Sequence, residues 1–138
     1  MPSTALSILV AECNRLLKPH RFQDWDGAVN GLQVENGGSV HRIAAAVDAT
    51  FGTVRDAAES HADFLLVHHG LFWAPTHPWT GPRYRLLHML LSNDVAVYSA
   101  HLPLDAHPRF GNNAGLCAAL GFRRLRPFFL CQGQPIGF

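Results

Sequence analysis

Apolar positions change their spacing several times along the 138-residue chain. Between residues 3 and 18, Leu6, Leu9, Val10, Cys13, Leu16 and Leu17 recur at helical intervals. This predicts an amphipathic helix, capped by Ser3 or Thr4 and ended by Pro19. Residues 20–38 lose the pattern and read as loop, with a short strand at 32–34. A regular alternation follows. The apolar runs "RIAAAV" (42–47), "DFLLVH" (63–68) and "VAVYSA" (95–100) read as strands. Helical patterns at 50–61, 83–93 and 112–122 separate and follow them, the last closed by Gly121. A Pro-rich loop covers 74–82, and "FFLC" (128–131) begins another strand.

Strands alternating with helices predict an α/β fold, a mostly parallel sheet with helices on both faces. Strands that are apolar without alternation fit a sheet buried on both sides. The length suits one domain, 1–138. The tail "CQGQPIGF" reads as a chain cut at the C-terminus while entering its next element.

Charge narrows the function. Ten arginines and one lysine stand against ten acids, giving a net charge of +1. Without a basic excess, nucleic acid is not an expected partner. Arg123, Arg124 and Arg126 form a local cluster that reads as a solvated face. Cys13, Cys117 and Cys131 are odd in number and far apart, as expected of reduced thiols in a cytoplasmic protein. Neither a signal peptide nor a membrane-spanning run is evident.

Nine histidines are the unusual feature. In open parallel sheets, ligands bind beyond the carboxyl ends of the strands. The first regular strand is followed by Asp48, the second ends in His68 and His69, and the third leads to His101, Asp105 and His107. Imidazoles and carboxylates are ligands for divalent metals, and neighbouring strands would bring them into one crevice. In a regular strand His68 and His69 point to opposite faces. Either the strand breaks at Gly70 or the two histidines serve two ions, with Asp105 able to bridge them. Paired ions polarise a substrate oxygen and activate water. Asp48 reads as a helix cap or a group behind the ligands, and His107 as loop surface. "GNNAG" (111–115) reads as an N-terminal turn, the alternative being a phosphate cradle.

Three segments, "NGLQVE" (30–35), "VHHGLFW" (67–73) and "HLPLDAHPRFGNNAGL" (101–116), resemble signatures of one family. It is named for the Ngg-one-interacting factor three, and its members are called GTP cyclohydrolase I type 2 homologues. The resemblance implies a cytoplasmic α/β protein that assembles as a homo-oligomer, a hexameric ring. It implies two divalent metal ions per subunit, with zinc, iron, manganese, cobalt and nickel all compatible. By resemblance the metal ligands map onto His68, His69 and Asp105, and His101 maps to the rim of the site or behind the ligands.

The family is about twice as long, and its remaining ligands, a His and a Glu, come late. This chain has no acid after Asp105, so it offers three of the five ligands. Alone it is expected to bind metal weakly and to catalyse poorly. The activity implied is a metal-dependent hydrolase acting on a purine nucleotide or related substrate. The competing expectation is a non-catalytic oligomeric scaffold or regulatory protein with a structural metal, as the family's naming for a protein partner suggests. The loop 73–83, with Trp73, Trp79 and Tyr84, would then be its contact surface.

Overall fold

In the computed structural model, which describes residues 2–138, the apolar runs become a mixed α/β fold. In chain order the elements are β1 (Thr4–Ala5), α1 (Leu6–Leu17), β2 (Gly31–Val34), β3 (Ser39–Val40) and β4 (Ile43–Asp48). Then come α2 (Phe51–Glu59), β5 (Phe64–His69), α3 (Pro82–Ser92) and β6 (Ala96–Ser99). The chain continues through α4 (Leu102–Asp105), α5 (Asn112–Ala119), β7 (Phe128–Cys131) and β8 (Gln134–Gly137). The central sheet has the order β2-β6-β5-β4. Its last three strands are parallel, and β2 joins β6 antiparallel at the edge.

Alternate residues of β5 and β6 serve two cores, because successive side chains leave a strand on opposite faces. Leu65, Val67 and Val97 pack with Val54 and Ala57 of α2 and Leu90 of α3. Phe64, Ala96 and Tyr98 pack on the other side with Leu6 of α1 and Val40 of β3. Helices therefore cover both faces, as the pattern predicts. Full burial of a side chain such as Leu90 contributes about 1.5–3 kcal/mol. The Tyr98 hydroxyl donates to Asn14 Oδ1 at 2.8 Å, which ties α1 to the sheet. Burial pushes that phenol's pKa upward.

The edge strand β4 departs from expectation. Ala44 and Ala46 join the first core, while Ile43 and Val47 on the opposite face are 53% and 61% exposed. The apolar run predicts burial on both sides, yet the core under α1 draws on β2, β6 and β5 and includes no residue of β4. The helix cap also differs. Thr4 pairs with Val40 in a two-residue ladder, and Ala5 takes the cap position without a side-chain bond. The Leu6 N–H bonds the Gly38 carbonyl at 2.9 Å instead. At the far end of α5 the expected glycine closure is present. Gly121 has φ +81°, its N–H bonds Ala118 O, and the Phe122 N–H bonds Cys117 O.

One polar junction fixes where β4 and β5 begin. The Asp63 carboxylate accepts the backbone N–H groups of His41 and Arg42, at 2.9 to 3.0 Å, and sits 3.0 Å from His41 Nδ1. Asn36 Nδ2 donates to the Asp63 carbonyl at 2.9 Å. Burial would raise the carboxyl's pKa, but the bonds from Arg42 and His41 outweigh it and hold it below the ordinary value. A depressed folded pKa gives stability that is present above the unfolded value of about 3.9 and lost as pH falls through the folded value. Asp63→Asn should therefore lower stability at neutral pH by about 1–2 kcal/mol. It should also flatten the loss of stability below about pH 4, read from thermal melts across pH. Equal acid sensitivity in both proteins would contradict this role.

Candidate metal centre

The carboxyl ends of β4, β5 and β6 lie side by side, and the register pairs Asp48 with His69 and Val67 with Ser99. His68 and His69 close β5, and His101 follows β6 as the residue before α4. Ligand nitrogens of these three histidines all lie within 4.8 Å of one another. Ring centroids are 4.5 Å apart for His68 and His69, 4.9 Å for His68 and His101, and 5.4 Å for His69 and His101. Strand alternation alone would have sent His68 and His69 apart. The strand ends at His69, so its ring is free to turn over the end of the sheet.

Each ring is held by its Nδ1. His68 Nδ1 lies 3.0 Å from the Ala100 carbonyl, and His69 Nδ1 lies 2.6 Å from Asp48 Oδ1. His101 Nδ1 lies 2.7 Å from Asp24 Oδ1. A carbonyl or an ionised carboxylate only accepts, so in each neutral ring the proton sits on Nδ1 and the Nε2 lone pair is free. That is the state a metal-binding imidazole needs, with an oxygen behind it to set tautomer and ring orientation. The donor set of this cluster thus fits a divalent ion.

Asp105 stands at the end of α4 with Oδ2 3.6 Å from His68 Nε2. That is too long for a hydrogen bond and close to the spacing of two ligands on one ion. Asn112 Nδ2 donates to the other oxygen, Oδ1, at 2.9 Å, and Asn113 Nδ2 donates to the Asp105 carbonyl. In "GNNAG", Asn112 therefore steadies the carboxylate of Asp105 and Asn113 its backbone. Asp48 does not cap α2, whose cap is Thr50, and instead lies behind His69. His107 turns its Nδ1 back to the N–H groups of Arg109 and Phe110. Burial, with Lys18 and Arg109 nearby, lowers its pKa.

Asp24 escaped the sequence reading. Its side chain is only 4% exposed, although it belongs to a segment that reads as loop. It accepts from Trp25 N–H, Asn30 Nδ2, His101 Nδ1 and Leu102 N–H. Burial opposes ionisation, yet the bonds from Asn30, His101 and Trp25 hold the carboxyl below its usual pKa. The nearest signal was Asn30 in "NGLQVE", whose Oδ1 also receives the His101 N–H at 2.7 Å.

Indoles flank the cluster. Trp73 meets His101 edge-on at 5.1 Å and His69 at 5.9 Å, with its Nε1 bonded to Gly70 O. Trp25, 66% exposed, stands 6.5 Å from His101. Trp79 packs on Phe72 instead, and Tyr84 lies on α3 beside His88. Behind the turn after His69, Gln33 bridges Val29 O and Leu71 N–H.

The model of the family Duf34/NIF3 (NGG1p interacting factor 3) matches residues 4–136. The chain is 50% identical over 117 residues to the GTP cyclohydrolase 1 type 2 homolog of Treponema pallidum, covering 84% of this chain and 41% of that protein. The homolog from Deinococcus radiodurans is 48% identical over 112 residues, covering 81% and 43%. The crystal structure of TTHA1606 from Thermus thermophilus superposes with a TM-score of 0.86 at 42% identity. That match covers 91% of this chain and 51% of the other. The chain thus spans about half the length, or less, of these relatives.

The Gly70 turn offers a direct check on how the histidines are held. A Cβ on Gly70 would run into the Gln33 carboxamide, which cannot withdraw without giving up both of its bonds. Gly70→Ala should destabilise by about 1–3 kcal/mol. Gly70→Ala combined with Gln33→Ala should cost less than the sum of the two changes, because the second removes the obstacle. Chemical denaturation of the four proteins measures this, and strict additivity would exclude the packing described.

Proposed function

The chain belongs to the Duf34/NIF3 family, and from that premise we propose that it carries the metal-binding part of a metal-dependent hydrolase acting on a purine nucleotide or a related ring. One observation carries the reading: three imidazoles at neighbouring strand ends, each with Nδ1 engaged by an oxygen, bring ring nitrogens within 4.8 Å of one another. The substrate class is taken from the relatives' printed name, GTP cyclohydrolase 1 type 2 homolog.

His68, His69 and Asp105 would hold the metal, and a bound divalent ion would supply polarisation of a substrate oxygen and activation of water. A dinuclear arrangement would rely on the Asp105 carboxylate as a ligand, and Asn112 holds its Oδ1 in position. Asp48 and the Ala100 carbonyl keep the two rings in position. His101 stands at the rim, where it can orient a ligand or pass a proton. Trp25 and Trp73 offer apolar surface against which a flat ring can lie. A second ion needs donors beyond these, a His and a Glu from a further segment or from another copy in a homo-oligomeric ring.

A second reading, an oligomeric scaffold or interaction protein with a structural metal, is favoured by exposed apolar surface. Ile43 and Val47 on β4 and Phe128, Phe129 and Leu130 on β7 all face outward. No helix of the described residues is long and apolar enough to cross a membrane.

The test uses a full-length relative. Alanine at the positions matching His69 and Asp105 should reduce metal-dependent turnover of GTP by more than the ~10–100-fold that loss of a group behind a ligand costs. Unchanged turnover would refute the hydrolase. Partner capture that survives both changes, in a protein without turnover, would establish the scaffold.

A further inference from the structure

We propose that two copies of this chain exchange helix α5. The apolar stripe of α5 in each copy lies on the bare outer face of β4 in the other, which closes a two-fold dimer. The inference does not depend on what the histidines bind.

The sheet supplies one half of the contact. Ile43 pairs with Phe64 and Ala45 with Leu66, and paired residues of neighbouring strands point to the same side. Phe64 and Leu66 belong to the core under α1, which stops at β5. Ile43, Ala45 and Val47 continue that apolar surface into solvent. α2 and α3 cover the opposite face of the sheet, so this corner is short of one helix.

The other half is a helix short of a sheet. In an α/β fold the helix after a strand ordinarily lies back on the sheet. α5 follows β6, yet neither hydrophobic core includes a residue of it. Leu116, Ala119 and Leu120 fall at the i, i+3 and i+4 positions of one helix face, and all three are exposed, the leucines by 62% and 64%. α5 is not free to swing onto β4 of its own chain. Asn112 Nδ2 is bonded to Asp105 Oδ1, and Asn113 Nδ2 to the carbonyls of Asp105 and Ile136.

The occupant follows from the pairing. One chain carries both surfaces, so a two-fold axis satisfies each with the other and no different partner is required. The area agrees. The chain exposes 8604 Å², whereas a folded monomer of 15.2 kDa exposes about 7,100 Å². The excess, about 1,500 Å², lies within the ~1,000–2,500 Å² that each partner of an obligate dimer buries.

Sedimentation equilibrium of the 138-residue chain at micromolar concentration tests the exchange. The unaltered chain should sediment at twice 15.2 kDa. Val47→Glu and Leu120→Lys each place a charge on one half of the contact, at positions already exposed within a single chain. Each change enters the dimer twice, so each variant alone should dimerise at least ~100-fold more weakly. Mixed together, the two variants should dimerise again, since their heterodimer keeps one unaltered contact and sets opposite charges in the other. Ile43→Glu and Leu116→Lys repeat the test if either first variant lacks a cooperative thermal melt. A monomeric unaltered chain overturns the proposal, and would leave the bare face to a segment such as the longer relatives carry. Loss of the dimer in only one of the two variants also overturns it, because that marks a strand-to-strand or a helix-to-helix contact. Variants that stay monomeric when mixed exclude the exchange as well.

Discussion

Parallel pairing in a fixed register brings the ends of β4, β5 and β6 to one level, and the chemistry of the molecule depends on it. Asp48 lies opposite His69, and Val67 opposite Ser99, so the residues just beyond Ser99 fall beside His68. Because the side-chain period of a strand is two, a one-residue slip would exchange the two cores as well as the histidines. Leu65, Val67 and Val97 would leave the α2–α3 side, and Phe64 and Tyr98 the α1 side. Hydrophobic burial therefore holds the register, and the register places the imidazoles. Stability and site geometry share one cause.

A layer of hydrogen bonds then converts proximity into orientation. Each of the three rings has an oxygen on Nδ1, and the three oxygens come from different places: the backbone after β6, the end of β4, and the loop before β2. Asp24 reaches furthest, joining a residue 77 positions away in the chain. Gly27 shows how closely its loop is packed, since a Cβ there would overlap the backbone of Trp73 and Ala74. The same loop carries Trp25 and meets the turn carrying Trp73, so the walls of the site and its third histidine are positioned together.

The periphery obeys different rules from the centre. β5 and β6 are buried on both faces, while the outer face of β4 and the β7–β8 hairpin leave large apolar groups in solvent. Burial of a strand is decided by what lies over it, and β4 has α2 on one side and no helix among the described residues on the other. In sequence "RIAAAV" and "DFLLVH" look alike, and only their places in the sheet separate them.

Local pattern was enough for much of the molecule. Helical spacing marked α1, α2, α3 and α5, apolar runs marked β4, β5 and β6, and their alternation determined the class of fold. The rule that parallel sheets bind at their carboxyl ends singled out His68, His69, His101 and Asp105 before any coordinates. The short strands β1 and β3, the turn of helix holding Asp105 and the β8 strand were not legible, being too brief to show a period. Asp24 was not legible either, because a hydrogen bond between distant residues leaves no periodic trace in sequence. So the sequence by itself determined which residues of the metal-binding type gather at one edge of the sheet. Only the tertiary structure decided how they face, because His69 escapes strand alternation at the last residue of β5 and because each ring's free nitrogen is chosen by an acceptor from elsewhere in the fold.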